Sequence, residues 1–265
     1  YSYANEGDSF ILKGNKVAVD IHKNAIIKNN YSQSYCDSAY HSSGLKFFTW
    51  SDSAGTDEFH YSIVDAATGN NIIWNQTLTS DASPVGTEVV GNYFVFLYKQ
   101  ISTGYLKYIS IPIATPGTPS AAVTLATDAV NKFSTMQMLN RIYVAYQNNA
   151  SGINLFYLDS SLVKSAVTTV AQIANVFISI SGDPVLSQVW VGFAQLSGGF
   201  YNVKYFVTSS TFASVLATTN ISTSLTVGIN TLSIVAYNGS GRIYYDQQTT
   251  YTTPFVTVHY ITSAT

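Results

Sequence analysis

The chain has 265 residues and a mass of 28.8 kDa, enough for one large all-β domain or two smaller ones. Only 10% of its residues are charged and the formal net charge is −2, against about 25% charged residues in an ordinary globular chain. Its hydrophobic share of 46% supplies a core, whereas its two arginines, Arg141 and Arg242, with no basic stripe, exclude electrostatic capture of nucleic acid or of an anionic membrane.

Serine and threonine make up close to a quarter of the sequence, so hydroxyls carry its polarity. Such a surface suits an extracellular protein or one on a virion or cell surface. Cys36 is the only cysteine, which rules out an internal disulfide and reads as a small buried hydrophobe. No apolar stretch approaches the length of a membrane-spanning helix. The chain starts at Tyr1 without a signal peptide and reads as a mature chain or a fragment of a longer one.

Residues 1–30 contain three short strand patterns, Ser9–Leu12, Lys16–Asp20 and Ala25–Ile27. Three roles fit them. They pair with the last blade and close a ring, they form part of a sixth blade completed from elsewhere, or they add a strand to a neighbouring molecule.

From residue 31 onward the sequence repeats. The segments Leu45–Trp50, Tyr93–Tyr98, Arg141–Tyr146, Gln188–Phe193 and Leu232–Tyr237 are strands ending in an aromatic residue. Those aromatics are 48, 48, 47 and 44 residues apart. A turn glycine follows each one, at Gly55, Gly104, Gly152, Gly198 and Gly241, and then a second aromatic strand around Tyr61, Tyr108, Phe156, Tyr205 and Tyr244. Glycine supplies the positive φ of a tight hairpin. Tyr93–Tyr98 is apolar on both faces, as expected of a strand covered on both sides.

A weaker strand precedes each of the last four central ones, at Thr87–Val90, Ser134–Met138, Phe177–Ile180 and Leu225–Val227. An edge-like strand closes each unit, at Ile72–Trp74, Ala121–Thr124, Ala166–Val170, Val215–Ala217 and Phe255–Val258. The Pro-rich stretch Pro112–Pro119 reads as a loop, and no amphipathic helix is evident. Four antiparallel strands per 45–48 residues is the arithmetic of a β-propeller blade. The expected fold is all-β: a propeller of five four-stranded blades, with six as the alternative. The repeats run at about 31–80, 81–130, 131–174, 175–222 and 223–265.

The hairpin Ile142–Tyr157 resembles the repeats of β-propellers in secreted and surface proteins, the sialidase-like and lectin-like ones. An Asp-box is not matched, because Ser51-Asp52-Ser53-Ala54-Gly55 places its aspartate one position early. The resemblance implies that a sialidase would hold a carboxylate with three arginines, and two are too few. It implies that a propeller glycosidase would use inward carboxylates from different blades. Glu88 on a first strand is the candidate, with Asp20 as its partner if the N-terminal strand is inner.

Other chemistry is thin. His22, His41, His60 and His259 show no metal-ligand spacing, and Asp52, Asp57, Glu58 and Asp65 read as a solvated acidic turn without calcium-loop spacing. No cofactor motif is present. Sequons occur at Asn149 and Asn238 on expected hairpin tips, and at Asn30, Asn75 and Asn220. Of the three tryptophans, Trp50 and Trp190 fall in central strands and read as core, whereas Trp74 on an outer strand is the candidate for stacking against a sugar.

The functional expectation from sequence is a non-enzymatic extracellular or virion-surface structural protein, a protomer of an appendage, filament or coat. Its expected partner is itself. A glycan-binding, lectin-like propeller with surface glycans as partners is the alternative, and a propeller glycosidase is third.

Overall fold

A computed structural model describes residues 9–12, 17–20, 25–26, 33–52, 58–128, 130–148, 152–170, 177–225, 229, 232–248 and 254–261. The fold is an all-β propeller built of antiparallel sheets, with no helix among the described residues. The chain divides into two compact units, residues 1–127 and 128–265.

The first unit begins with three short strands, β1 (Ser9–Leu12), β2 (Val17–Asp20) and β3 (Ala25–Ile26), which pair with one another in sequence order. Two blades follow. One is β4 (Gln33–Tyr40), β5 (Leu45–Asp52), β6 (Glu58–Asp65) and β7 (Asn71–Thr79). The other is β8 (Ala82–Val90), β9 (Tyr93–Gln100), β10 (Leu106–Pro112) and β11 (Val123–Ala126). Each is a meander, because short turns allow only antiparallel neighbours. The aromatic strands pack face to face between the blades: Phe47 stacks on Phe94 with centroids 5.0 Å apart, and Phe59 lies 5.1 Å from Phe96.

The second unit holds three blades. Two are four-stranded: β12 (Val130–Met138) to β15 (Thr168–Val170) through β13 (Arg141–Asn148) and β14 (Ile153–Leu158), and β16 (Phe177–Asp183) to β19 (Ser214–Leu225) through β17 (Gln188–Ser197) and β18 (Phe200–Ser209). The last has, among the described residues, three strands, β20 (Leu232–Tyr237), β21 (Ser240–Gln248) and β22 (Pro254–Ile261).

Side chains lace the first strands of successive blades to one another. In the second unit Ser134 Oγ accepts the Ile180 N–H at 3.3 Å, and Ser179 and Ser181 accept those of Ile234 and Ala236 at 3.1 and 3.0 Å. In the first unit Asp37 accepts the Thr87 N–H at 2.9 Å. First strands turn a ladder edge toward the next blade rather than toward a paired strand, and these oxygens satisfy backbone donors that would otherwise be stranded.

This lacing corrects the assignment of the last repeat. Leu225 belongs to the end of β19, not to a new first strand, and Leu232–Tyr237 is a first strand rather than a central one. Ser179 treats Ile234 as Ser134 treats Ile180, one blade later. The turn moves with it. Asn238 and Gly239, at φ 50° and 74°, form the two-residue hairpin between β20 and β21, and Gly241 lies inside β21.

Candidate functional site

The reassigned strand creates the site. A first strand is covered on one face by the preceding blade, so its side chains alternate. Ile234 and Ala236 are buried, whereas Val235 and Tyr237 are 53% and 66% exposed. On β21, Gly241, Ile243 and Tyr245 are buried and Arg242 is exposed between them. The register places Val235, Arg242 and Tyr260 in one row across the three strands, with Tyr237 opposite Ser240 beside it.

These residues, with Asn238, Tyr244 and Ile261, line a hollow of about 530 Å³. That is the size of a small-ligand site, about 300–1,000 Å³. The Arg242 guanidinium carbon sits 5.0 Å from the Tyr260 ring centroid, a cation–π contact. The Tyr244 hydroxyl, and after it Tyr260, push its pKa still higher. The cation rests beside the Tyr260 ring and, as an arginine, stays charged at every working pH. No carboxylate lines the hollow among the described residues.

The residues singled out from sequence do not assemble here, Asn238 excepted. Trp50 and Trp190 are fully buried, and Trp74 is 44% exposed beside Ile72 on β7. Glu88 is half-buried on β8, opposite Val95. Asp65 Oδ1 accepts the N–H groups of Ala67 and Thr68, both at 2.9 Å, so this acid caps a turn. His60 stacks on Trp50 at 5.9 Å and lies 3.7 Å from Glu58, and His41 pairs with the Ser43 hydroxyl at 2.8 Å. No group of three metal-ligating side chains occurs among the described residues. Asn75, Asn220 and Asn238 are exposed. The side chains of Asp20, Cys36, Asp52 and His259, and the whole of His22, Asn30, Asp57 and Asn149, lie outside the described residues.

The sequence reading missed the hollow because it placed Tyr237 in a doubly covered strand and used Arg242 only in a count. The signal was present as Asn238-Gly239, a two-residue hairpin turn, and as polar and apolar residues alternating through Ser240–Tyr244.

No family model matches the chain, and no curated protein matches it. Solved structures do. A polysaccharide lyase, PL25 ulvan lyase bound to -[GlcA(1-4)Rha3S]-, aligns at a TM-score of 0.57 and 9% identity, covering 84% of this chain and 67% of that one. AofleA from Arthrobotrys oligospora aligns at 0.54 and 10% identity, covering 89% and 75%. The β-propeller domain of the Trilobed protease from Pyrococcus furiosus, with an open velcro topology, aligns at 0.53 and 9%, covering 86% and 69%.

These likenesses establish the β-propeller fold. They also overturn the expectation of a non-enzymatic structural protomer. Low charge and a hydroxyl-rich surface do not by themselves make a building block, since the same fold, at a TM-score of 0.57, carries a polysaccharide lyase. No helix among the described residues is long and apolar enough to cross a membrane.

Proposed function

We propose that this chain is a carbohydrate-active propeller, an enzyme that cleaves polysaccharide outside the cell. The hollow on the last blade carries the reading. Three tyrosines, Tyr237, Tyr244 and Tyr260, line it. A sugar ring offers C–H groups on its faces and hydroxyls at its rim, so tyrosine matches it on both counts. The structural likeness to a polysaccharide lyase supports the enzyme class. A polymeric substrate does not enter cells, which agrees with the extracellular character of the composition.

Two chemistries cleave glycosidic bonds. Hydrolysis uses a pair of carboxylates; Glu88, on a first strand of the first unit, is one candidate and is not among the residues lining the hollow. Elimination acts beside a uronate carboxyl and leaves an unsaturated sugar. The test is incubation of the purified protein with a panel of neutral and acidic polysaccharides. New reducing ends with any one substrate are the expected outcome, and ultraviolet absorbance of an unsaturated uronate separates elimination from hydrolysis. A panel left at full length by active-concentration protein sinks the proposal.

A further inference from the structure

We infer that the hollow on the last blade is selective for an acidic saccharide, with Arg242 reading its carboxylate or sulfate group and Tyr237 and Tyr260 supporting its ring. The inference rests on the carbohydrate-active reading and narrows its substrate class.

Arg242 is one of two arginines in a chain only 10% charged. The other, Arg141, stacks on Tyr157 with its guanidinium carbon 4.2 Å from the ring centroid, on a half-buried part of its blade. Arg242 instead stands on an exposed face among tyrosines. It has no ion pair with a carboxylate among the described residues. Its guanidinium carbon rests 5.0 Å from the Tyr260 ring centroid. Its N–H donors form a planar fork matched to an oxyanion with two acceptor oxygens.

Pre-orientation matters here. A free arginine side chain loses rotamer freedom when it binds, whereas this one is already braced, so less is lost on binding. A neutral sugar would leave the fork facing water. An acidic one engages it while its ring lies on Tyr237 or Tyr260.

The experiment is calorimetric titration of the full chain with three probes: a galacturonate tetrasaccharide, a sulfated galactose tetrasaccharide and its unsulfated counterpart. Binding of one or both acidic probes is expected, with the two arms showing which anion is read. The neutral probe should bind about tenfold more weakly or worse, a difference of one charge-assisted contact. Arg242→Gln should bring acidic binding down to the neutral level, with Arg242→Lys between. Raising salt should weaken the wild type and leave Arg242→Gln unchanged. Circular dichroism and thermal midpoint confirm that both variants fold.

Equal binding of neutral and acidic probes, retention of acidic binding by Arg242→Gln, or no binding of either acidic probe overturns the inference. The two readings separate cleanly. Cleavage of a neutral polysaccharide that survives Arg242→Gln keeps the enzyme and removes the acidic-saccharide site. Acidic binding through Arg242 with every polysaccharide left intact does the reverse.

Discussion

Gly241 packs flat against the ring of Trp190: a β-carbon built on it would lie 2.6 Å from Cζ3 and 2.9 Å from Cε3. The two residues join neighbouring blades. Trp190 is fully buried in a core cluster and also stacks on Tyr205 at 5.9 Å with the rings 8° from parallel. The indole has nowhere to retreat. Gly241→Ala is therefore expected to destabilise the protein by about 1–3 kcal/mol, the usual cost of overpacking. Urea unfolding of the single variants and of Gly241→Ala with Trp190→Phe checks this. The pair should be clearly less than additive, because the smaller ring relieves the same clash.

Asp183 ties two turns together. Its Oδ1 accepts the N–H groups of Val185 and Leu186 at 3.0 and 3.2 Å, and its Oδ2 accepts that of Gly239 at 2.5 Å. The residue is fully buried. Asp183→Ala strands three backbone donors and is expected to cost about 2–4 kcal/mol, since bonds to a charged acceptor are the strong ones. Asp183→Asn keeps a single acceptor oxygen and should fall between the two. Because Gly239 opens the strand that carries Arg242, the same variant should also weaken saccharide binding at the hollow.

Alkali should unfold this protein in a characteristic window. Burial pushes the Tyr61, Tyr98, Tyr108 and Tyr146 hydroxyls above the ordinary tyrosine pKa. The unfolded chain then releases those protons more readily than the folded one. Stability is intact below the unfolded value of about 10 and is lost as pH rises through the raised folded values. A urea midpoint measured against pH should fall steeply above that point, and Tyr146→Phe should make the fall shallower. An unchanged slope in the variant would remove Tyr146 as a cause.

Leu139 and Asn140 form the two-residue turn between β12 and β13, at φ 51° and 55°. Left-handed backbone costs a residue such as leucine about 1–2 kcal/mol. Its side chain is 48% exposed, so little packing compensates. Leu139→Asn suits this hairpin turn and should raise stability by about 0.5–1 kcal/mol, read as a higher urea midpoint with an unchanged slope. A lower midpoint would show that the leucine contacts outweigh the backbone strain.

Much of this architecture is readable along the chain. The central strands at Tyr93–Gln100, Arg141–Asn148 and Gln188–Ser197 contain the segments their aromatic runs indicate, and Trp50 and Trp190 are buried. Those features are local. Alternation and apolar runs report that a strand exists and how many of its faces avoid water, because side-chain direction follows from the pleat alone. The spacing of the repeats adds the propeller, since each blade must bury its faces against another like it.

The last blade shows where that reading stops. Leu232–Tyr237 has the same aromatic-tipped pattern as the central strands, yet it is the first strand of its sheet. What decides its place is Ser179 and Ser181 bonding to it from another blade, more than fifty residues away in the chain. Gly241 reads as a turn residue, and only Trp190 across the blade interface shows that it is there for space. Tyr237, Arg242, Tyr244 and Tyr260 become one site only when three strands are laid in register with their far face left open. Periodicity along a strand cannot specify which neighbour covers which face. That is settled by contacts between residues distant in sequence, and at this end of the molecule those contacts make the difference between core and binding surface.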